Sequence, residues 1–264
     1  MQSAKIAIGG KGGVGKTTVC AIWARILAEE GLDVLAIDAD PNTNLALAFG
    51  LDDHTSPQPL IKMKELIAER TGTGKQAVGT YFKMNPKVSD LPEKYWLELG
   101  KVKLLVLGAI THGGAGCACP EGAFLKALLT HSILQRDEVV LVDLAAGVEF
   151  LGRASIQGID ALVLVVEPGG RSIRTAVNMA RMARELGVRQ VAAIANKIGE
   201  PSETTVIQSR LGDVALLASL PQSRALQQAD LERKPVFQAD PRIVAELKRA
   251  KDSLVSVLSC GTVE

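Results

Sequence analysis

The sequence predicts an α/β fold: a doubly wound, mostly parallel sheet flanked by helices, forming a single domain over residues 1–264. Three observations carry that prediction. Short runs rich in Val, Ile, Leu and Ala alternate along the chain with longer stretches of helical period. Several of the runs are apolar almost throughout rather than at every second residue, as strands covered by helices on both faces require. Alternating strand and helix, in turn, builds a largely parallel sheet.

Taken in order, the first strand is expected over Ala4–Ile8, followed by a glycine-rich loop and a helix over Thr17–Glu30 that Gly31 closes. A second strand is expected over Val34–Asp38. From about residue 52 to 100 the rhythm breaks: Pro57, Pro59, Gly72, Gly74, Pro86 and Pro92 surround one helical patch, Ile61–Arg70. This stretch is expected to be an irregular insertion on the carboxyl edge of the sheet. The alternation then resumes with a strand over Lys103–Gly108, a helix over Glu121–Ile133 and a strand over Val139–Asp143. Pro120 suits the first position of that helix. Strands over Ala161–Glu167, Val191–Asn196 and Val214–Leu220 follow, with helices over Ser172–Leu186, closed by Gly187, and Pro241–Leu258.

Composition narrows the class. Apolar residues make up 47% and charged residues 22% of 264, a globular balance. Aromatics at 3% leave few stacking surfaces for single-stranded nucleic acid, and a net charge of +1 without a Lys/Arg block argues against DNA or anionic lipid. The chain enters its first strand without a signal peptide, and no run reaches the roughly 20 apolar residues of a membrane span. Four cysteines are too few for a disulfide scaffold in a chain of this length. The expectation is a cytoplasmic protein with neither nucleic-acid nor membrane partners.

The chemistry begins at Gly10-Lys11-Gly12-Gly13-Val14-Gly15-Lys16-Thr17, which fits G-x-x-x-x-G-K-[ST] after a strand and before a helix. Glycines let the backbone N–H groups of Gly12, Gly13, Val14 and Gly15 approach phosphate oxygens, and the helix start, with Lys16, Thr17 and Thr18, adds its positive dipole end. Lys16 is expected on the β- and γ-phosphates and the Thr17 hydroxyl on Mg²⁺. The same glycines match the dinucleotide fingerprint, with Asp38 or Asp40 as the ribose acid. The Lys-Thr pair decides for a phosphate loop, since a dinucleotide turn needs neither an ammonium nor a magnesium ligand there. Asp143 ends an apolar strand where a second magnesium-holding carboxylate belongs. Asp38 and Asp40 close another strand on the same edge, one to assist the metal and one to orient the attacking water. Asn196 and Lys197 follow a further strand, where an amide pairs with the edge of adenine and a lysine stem covers the ring. The chain is therefore expected to bind ATP with Mg²⁺ and to hydrolyse it.

Lys11 adds a family signature. Lys-Gly-Gly-Val-Gly-Lys-Thr, together with Asp38-Ala39-Asp40-Pro41-Asn42, Asp143 and the strand rhythm through Leu220-Pro221, resembles the deviant Walker A ATPases of the MinD/ParA group. That resemblance implies a homodimer closed face to face by ATP, with Lys11 reaching the phosphates of the partner copy like an arginine finger. It also implies that Asp40 positions water, that Asp38 and Asp143 serve magnesium, and that Asn196 reads adenine.

Cys117 and Cys119 stand one residue apart on a glycine-rich stretch, before the expected helix. A helix N-terminus favours thiolate, and thiolate binds metal. Two copies across a two-fold axis would supply four thiolates, fit for Zn²⁺ as a tetrahedron or Ni²⁺ as a square plane. Two other readings of the pair stay open: unreactive small residues, or a redox couple. Cys20 is expected in the core and Cys260 in a C-terminal tail. Gly114-Ala115-Gly116-Cys117-Ala118-Cys119-Pro120-Glu121-Gly122, with Gly147–Arg153, Glu167-Pro168 and Ala229-Asp230-Leu231, resembles the nickel-insertion ATPases that mature carbon monoxide dehydrogenase. What this resemblance implies is nickel held between Cys117 and Cys119 of both copies and a metalloenzyme client, carbon monoxide dehydrogenase or acetyl-CoA synthase. The sequence departs from such proteins at Ala145, where an acid often follows the Asp143 strand. A MinD/ParA-type positioning ATPase is the alternative, but the expected C-terminal helix lacks an aromatic anchor, and Arg171, Arg174, Arg181 and Arg184 read as a solvated face.

Overall fold

The computed structural model describes residues 3–73, 82–108, 119–133, 137–145 and 158–260. Eight strands among them form one sheet: β1 (Lys5–Gly10), β2 (Val34–Ala39), β3 (Leu97–Leu99), β4 (Val102–Val106), β5 (Val139–Leu144), β6 (Ala161–Val166), β7 (Gln190–Ile198) and β8 (Ala215–Pro221). Their order across the sheet is β3-β4-β2-β5-β1-β6-β7-β8. Every pairing is parallel except the β3–β4 edge. The doubly wound expectation holds.

Helices cover both faces because successive strand residues point to opposite sides. Ile6 and Ile8 go one way, with Leu104, Leu141 and Val163, and meet Trp23, Leu27 and Leu247. Ala7 goes the other, with Leu35, Val142 and Leu164, and meets Phe124, Met179 and Ile207. The first face is covered by α1 (Lys16–Glu29), α2 (Leu45–Ala48) and α9 (Pro241–Cys260). The second is covered by α3 (Lys64–Thr71), α5 (Pro120–Ala127), α6 (Gly170–Glu185) and α7 (Pro201–Leu211). Trp23 fixes α1 to α9 by donating its ring N–H to the Leu247 carbonyl at 2.9 Å. The C-terminal helix packs in the core, as its period implies: Ile243, Leu247, Ala250 and Leu254 are all buried. On α6 the four arginines face solvent; Arg181 pairs with Glu185 and Arg184 with Asp213. No helix among the described residues is long and apolar enough to cross a membrane.

Two expectations need correction. Among its described residues the stretch from 52 to 100 holds the expected helical patch, as a 3-10 turn (Leu60–Lys62) and α3, and in addition α4 (Leu91–Tyr95) and β3, which were not expected. Strand β3 is short and antiparallel because Gly100, at φ 66°, reverses the chain at once into β4. The helix expected over Glu121–Ile133 is α-helical only through Ala127, and Leu128–Ile133 widens into a π turn. Leu128, Leu129 and Ile133 are all buried there, so packing takes precedence over regular helix geometry.

Candidate functional site

Parallel strands all end on one side of a sheet, and the loops leaving those ends gather there. Strand β1 stops at Gly10 and α1 starts at Lys16, leaving Lys11–Gly15 as a tight loop. Two glycines are required by their surroundings. Gly10, at φ 144°, lies so close to the Val165 carbonyl on β6 that a Cβ would strike it. Gly15, at φ 99°, would drive a Cβ into the amide of Asn196. Helix α1 carries neither a side-chain cap nor an acid in its first turn, so its leading N–H groups face the loop without an internal anion. Gly12 and Gly13 are exposed, Val14 is buried, and Thr17 and Thr18 are half-buried on the first turn. Lys16 is 6% exposed and curls under the loop, its ammonium 3.4 Å from the Lys11 carbonyl.

The acids lie beside this loop. Asp38 and Asp143 occupy paired positions of neighbouring strands β2 and β5, and both are buried. The Thr17 hydroxyl donates to Asp143 Oδ2 at 2.6 Å. Asp143 Oδ1 is buried with no hydrogen-bond partner among the described residues. A hydroxyl and a carboxylate with a spare oxygen, next to a phosphate loop, make a donor set that fits magnesium. Asp38 accepts the backbone N–H of Leu45 at 2.9 Å and that of Asp40 at 3.1 Å, so it also organises the turn after β2. Asp40 is half-buried, and its carboxylate accepts the Asn42 N–H at 2.8 Å.

Burial lifts both buried carboxyls. Asp143 rises to about 7, with the Asp38 charge adding to the lift and the Thr17 hydrogen bond opposing it. Asp38 rises to about 6 through burial, against backbone hydrogen bonds from Leu45, Asp40 and Asn44. The folded chain thus holds protons that the unfolded chain gives up. The stability this pair contributes is complete below about pH 4 and is lost as pH climbs through about 6 and 7. Raising Asp143 from 3.8 to about 7 corresponds to about 4 kcal/mol at high pH. Asparagine would avoid that cost but leave a buried amide short of a partner, a loss of about 1–3 kcal/mol. Asp143→Asn should therefore gain about 2 kcal/mol at pH 8 and lose that advantage at pH 5, read by denaturant unfolding at both. If Asp143 holds the magnesium of a bound nucleotide, as its position at the end of β5 leads one to expect, the same substitution lowers nucleotide turnover by about 10- to 100-fold.

On the far side of the loop, Asn196 Nδ2 donates to the Val14 carbonyl at 2.8 Å and Lys197 Nζ donates to the Gly13 carbonyl at 2.5 Å. Lys197 does so from φ 58°, a left-handed conformation that costs a non-glycine residue about 1 kcal/mol. The pair expected at adenine thus also braces the loop. Lys11 turns to its own chain, with its ammonium 3.0 Å from Glu167 Oε1. Neither the Asn196 brace nor the Lys11–Glu167 pair was foreseen from the sequence. The one signal for them was chemical type at strand ends, since both partners lie more than 150 positions from the loop.

Of the cysteines, Cys119 caps α5, its sulfur accepting the Gly122 N–H at 3.3 Å, and it is half-buried. This is the helix start expected from Pro120. Cys117 lies outside the described residues, as does the Gly147–Arg153 segment. Cys20 is in the core as expected, and burial first, then the charges of Asp143 and Asp38, push its thiol well above its ordinary range.

Comparison with known proteins follows the same lines. Residues 5–236 match the family described as the CobQ/CobB/MinD/ParA nucleotide binding domain. The carbon monoxide dehydrogenase accessory protein CooC of Rhodospirillum rubrum is 44% identical over 228 residues, 86% of each chain. An uncharacterised ATP-binding protein of Methanocaldococcus jannaschii is 38% identical, covering 96% of this chain and 98% of its own. Among solved structures, the septum site-determining protein MinD of Pyrococcus horikoshii, complexed with Mg-ADP, superposes with a TM-score of 0.67 at 21% identity, covering 97% of this chain and 98% of that one.

Proposed function

The chain belongs to the CobQ/CobB/MinD/ParA nucleotide-binding family and is a P-loop ATPase, and from that premise we propose that ATP-driven pairing of two copies delivers nickel to carbon monoxide dehydrogenase. One observation carries the client: the 44% identity to an accessory protein of that enzyme, spread over 86% of each chain. The cysteine pair Cys117 and Cys119, with Cys119 at the start of α5, supplies sulfur ligands for the cargo.

In this reading Lys16 and the loop N–H groups hold the β- and γ-phosphates. Thr17 and Asp143 hold magnesium, with Asp38 beside them; when bound, the ion neutralises charge building on the transferred phosphoryl group. Asp40 orients the attacking water from the turn after β2. Asn196 and Lys197 line adenine while bracing the loop. Lys11 crosses to the γ-phosphate of the partner copy, so hydrolysis needs two copies face to face. Pairing places two Cys-x-Cys segments across one two-fold axis, and four thiolates close a site for Ni²⁺, or for Zn²⁺ as a competitor. Loss of the γ-phosphate removes the Lys11 contact, loosens the pair and opens the site toward the client.

Loading the purified chain with Ni²⁺, with and without ATP, tests this directly. The expected result is one nickel per two chains only when ATP is present, with the mass doubling in sedimentation. Equal nickel uptake by a single copy without nucleotide would refute the coupling.

A further inference from the structure

Lys11 has a ready partner inside its own chain. Glu167 follows strand β6, and its backbone N–H contacts the hydroxyl of buried Ser172 at 3.1 Å, which ties the turn between β6 and α6. From that anchored position Oε1 lies 3.0 Å from the Lys11 ammonium. The second oxygen, Oε2, lies 3.7 Å from the ammonium of Lys197, whose other contact is the Gly13 carbonyl. One carboxylate therefore sits between two lysines, one on the phosphate loop and one bracing it. Glu167 is only 24% exposed at its side chain, and Lys11 is 40% exposed, so solvent screens the pair in part.

We propose that Glu167 is a positioning residue that parks Lys11 in cis, so that two copies close only when a γ-phosphate on the facing copy outcompetes this carboxylate. The inference rests on the trans role of Lys11 stated above. An ammonium has three donors but one position, and Lys11 cannot lie against Glu167 and also reach a facing copy. A triphosphate presents more charge to the crossing lysine than a diphosphate, which lacks the terminal group. The same competition thus makes pairing sensitive to the state of the nucleotide: ATP draws Lys11 off Glu167, and ADP leaves it there.

Two measurements test this. The first is the acetylation rate of Lys11 in the uncombined chain without nucleotide, read by peptide mass spectrometry. Glu167→Gln should speed labelling of Lys11 while Lys248 and other distant lysines keep their rates. The second is the protein concentration for half-association with a non-hydrolysable ATP analogue, read by sedimentation. One partly exposed pair changes an equilibrium by a factor of about 1.4–5, and a dimer breaks two. Glu167→Gln should thus associate at about 2- to 30-fold lower concentration. Glu167→Asp, which keeps the charge but withdraws it by one methylene, should fall between. Lys11→Gln separates the failures. If Lys11→Gln associates as the wild type does, the trans reading and this inference both fall. If Lys11→Gln blocks association while Glu167→Gln associates at wild-type or higher concentration, the parking role alone is wrong. Unchanged Lys11 labelling in Glu167→Gln is equally decisive against it.

Discussion

Lys11→Gln should lower ATP turnover by about 10³- to 10⁵-fold, the worth of a cationic finger supplied across an interface, and leave the fold standing. The two halves of that expectation have separate causes. Lys11 contributes little to stability because its ion pair to Glu167 is partly solvated, a class worth about 0–1 kcal/mol. The melting temperature should move by no more than about 4 °C. Lys16 differs in kind: it is buried beneath the loop, so replacing it would disturb local packing and phosphate binding together. Complementation isolates the trans role. A Lys11→Gln copy keeps its own Asp143, and an Asp143→Asn copy keeps its own Lys11. If Lys11 acts across the interface, a mixed dimer holds one intact site, and an equimolar mixture of the two inactive variants regains up to about a quarter of wild-type turnover. If Lys11 acts within its own chain, each site of the mixture stays defective and no recovery occurs.

The fold was legible because its evidence is local and repeated. Strands such as Val139–Leu144 are apolar at nearly every position, and a parallel sheet buried on both faces is the structure that wants such runs. Boundaries moved by a residue or two at strand ends, where burial and pairing decide rather than residue type. Short elements were hidden for another reason. Helix α7 opens on Glu200-Pro201-Ser202-Glu203, a capping box whose two side chains satisfy each other's backbone N–H groups. Helix α8 (Arg224–Leu231) opens on Ser223, whose hydroxyl accepts the Leu226 N–H. Both signals were in the sequence, but each spans only four residues and competes with ordinary loop composition. Strand β3 had a weaker one still, Leu97-Glu98-Leu99 before Gly100.

The site divides in the same way. The positions of the phosphate loop and Thr17, between β1 and the first turn of α1, and of Asp38 and Asp143, near strand ends, were readable from motifs, and the structure brings Asp38 and Asp143 side by side. Contacts between distant segments were not readable. Glu167 finds Lys11 only because β6 lies next to β1, and Asn196 finds Val14 because β7 comes next in the sheet. Strand order is a property of the fold, and no spacing along the chain encodes it. The requirement for glycine at Gly15 has the same origin, since the amide that excludes a Cβ comes from β7.

Cys119→Ser should abolish ATP-dependent nickel capture, lowering metal affinity at least about 10³-fold, while nucleotide binding and helix α5 survive. The choice of serine matters. Cys119 has a structural duty as the cap of α5, its sulfur accepting the Gly122 N–H. Alanine removes cap and ligand together and costs about 1 kcal/mol of local stability, so a loss of metal in that variant has two explanations. Serine restores a better cap but offers an uncharged hydroxyl where a soft thiolate is needed. Structural zinc sites in small peptides bind their metal with about 10–16 kcal/mol, and a symmetric dimer that shares four such ligands loses two of them at one stroke. An equal share per ligand puts the loss at about 5–8 kcal/mol, well past the 10³-fold expected as a minimum. Cys119 leads into α5, while the nucleotide site is built from the ends of β1, β2, β5 and β7, so ATP affinity should hold within about twofold, a factor worth under 0.5 kcal/mol. Nickel per chain, measured on Cys119→Ser and Cys119→Ala with bound ATP counted in the same samples, then separates the roles. Metal absent from both variants with ATP retained assigns the sulfur to the cargo. Stoichiometric nickel in Cys119→Ser would leave the cysteine as a helix cap and nothing more.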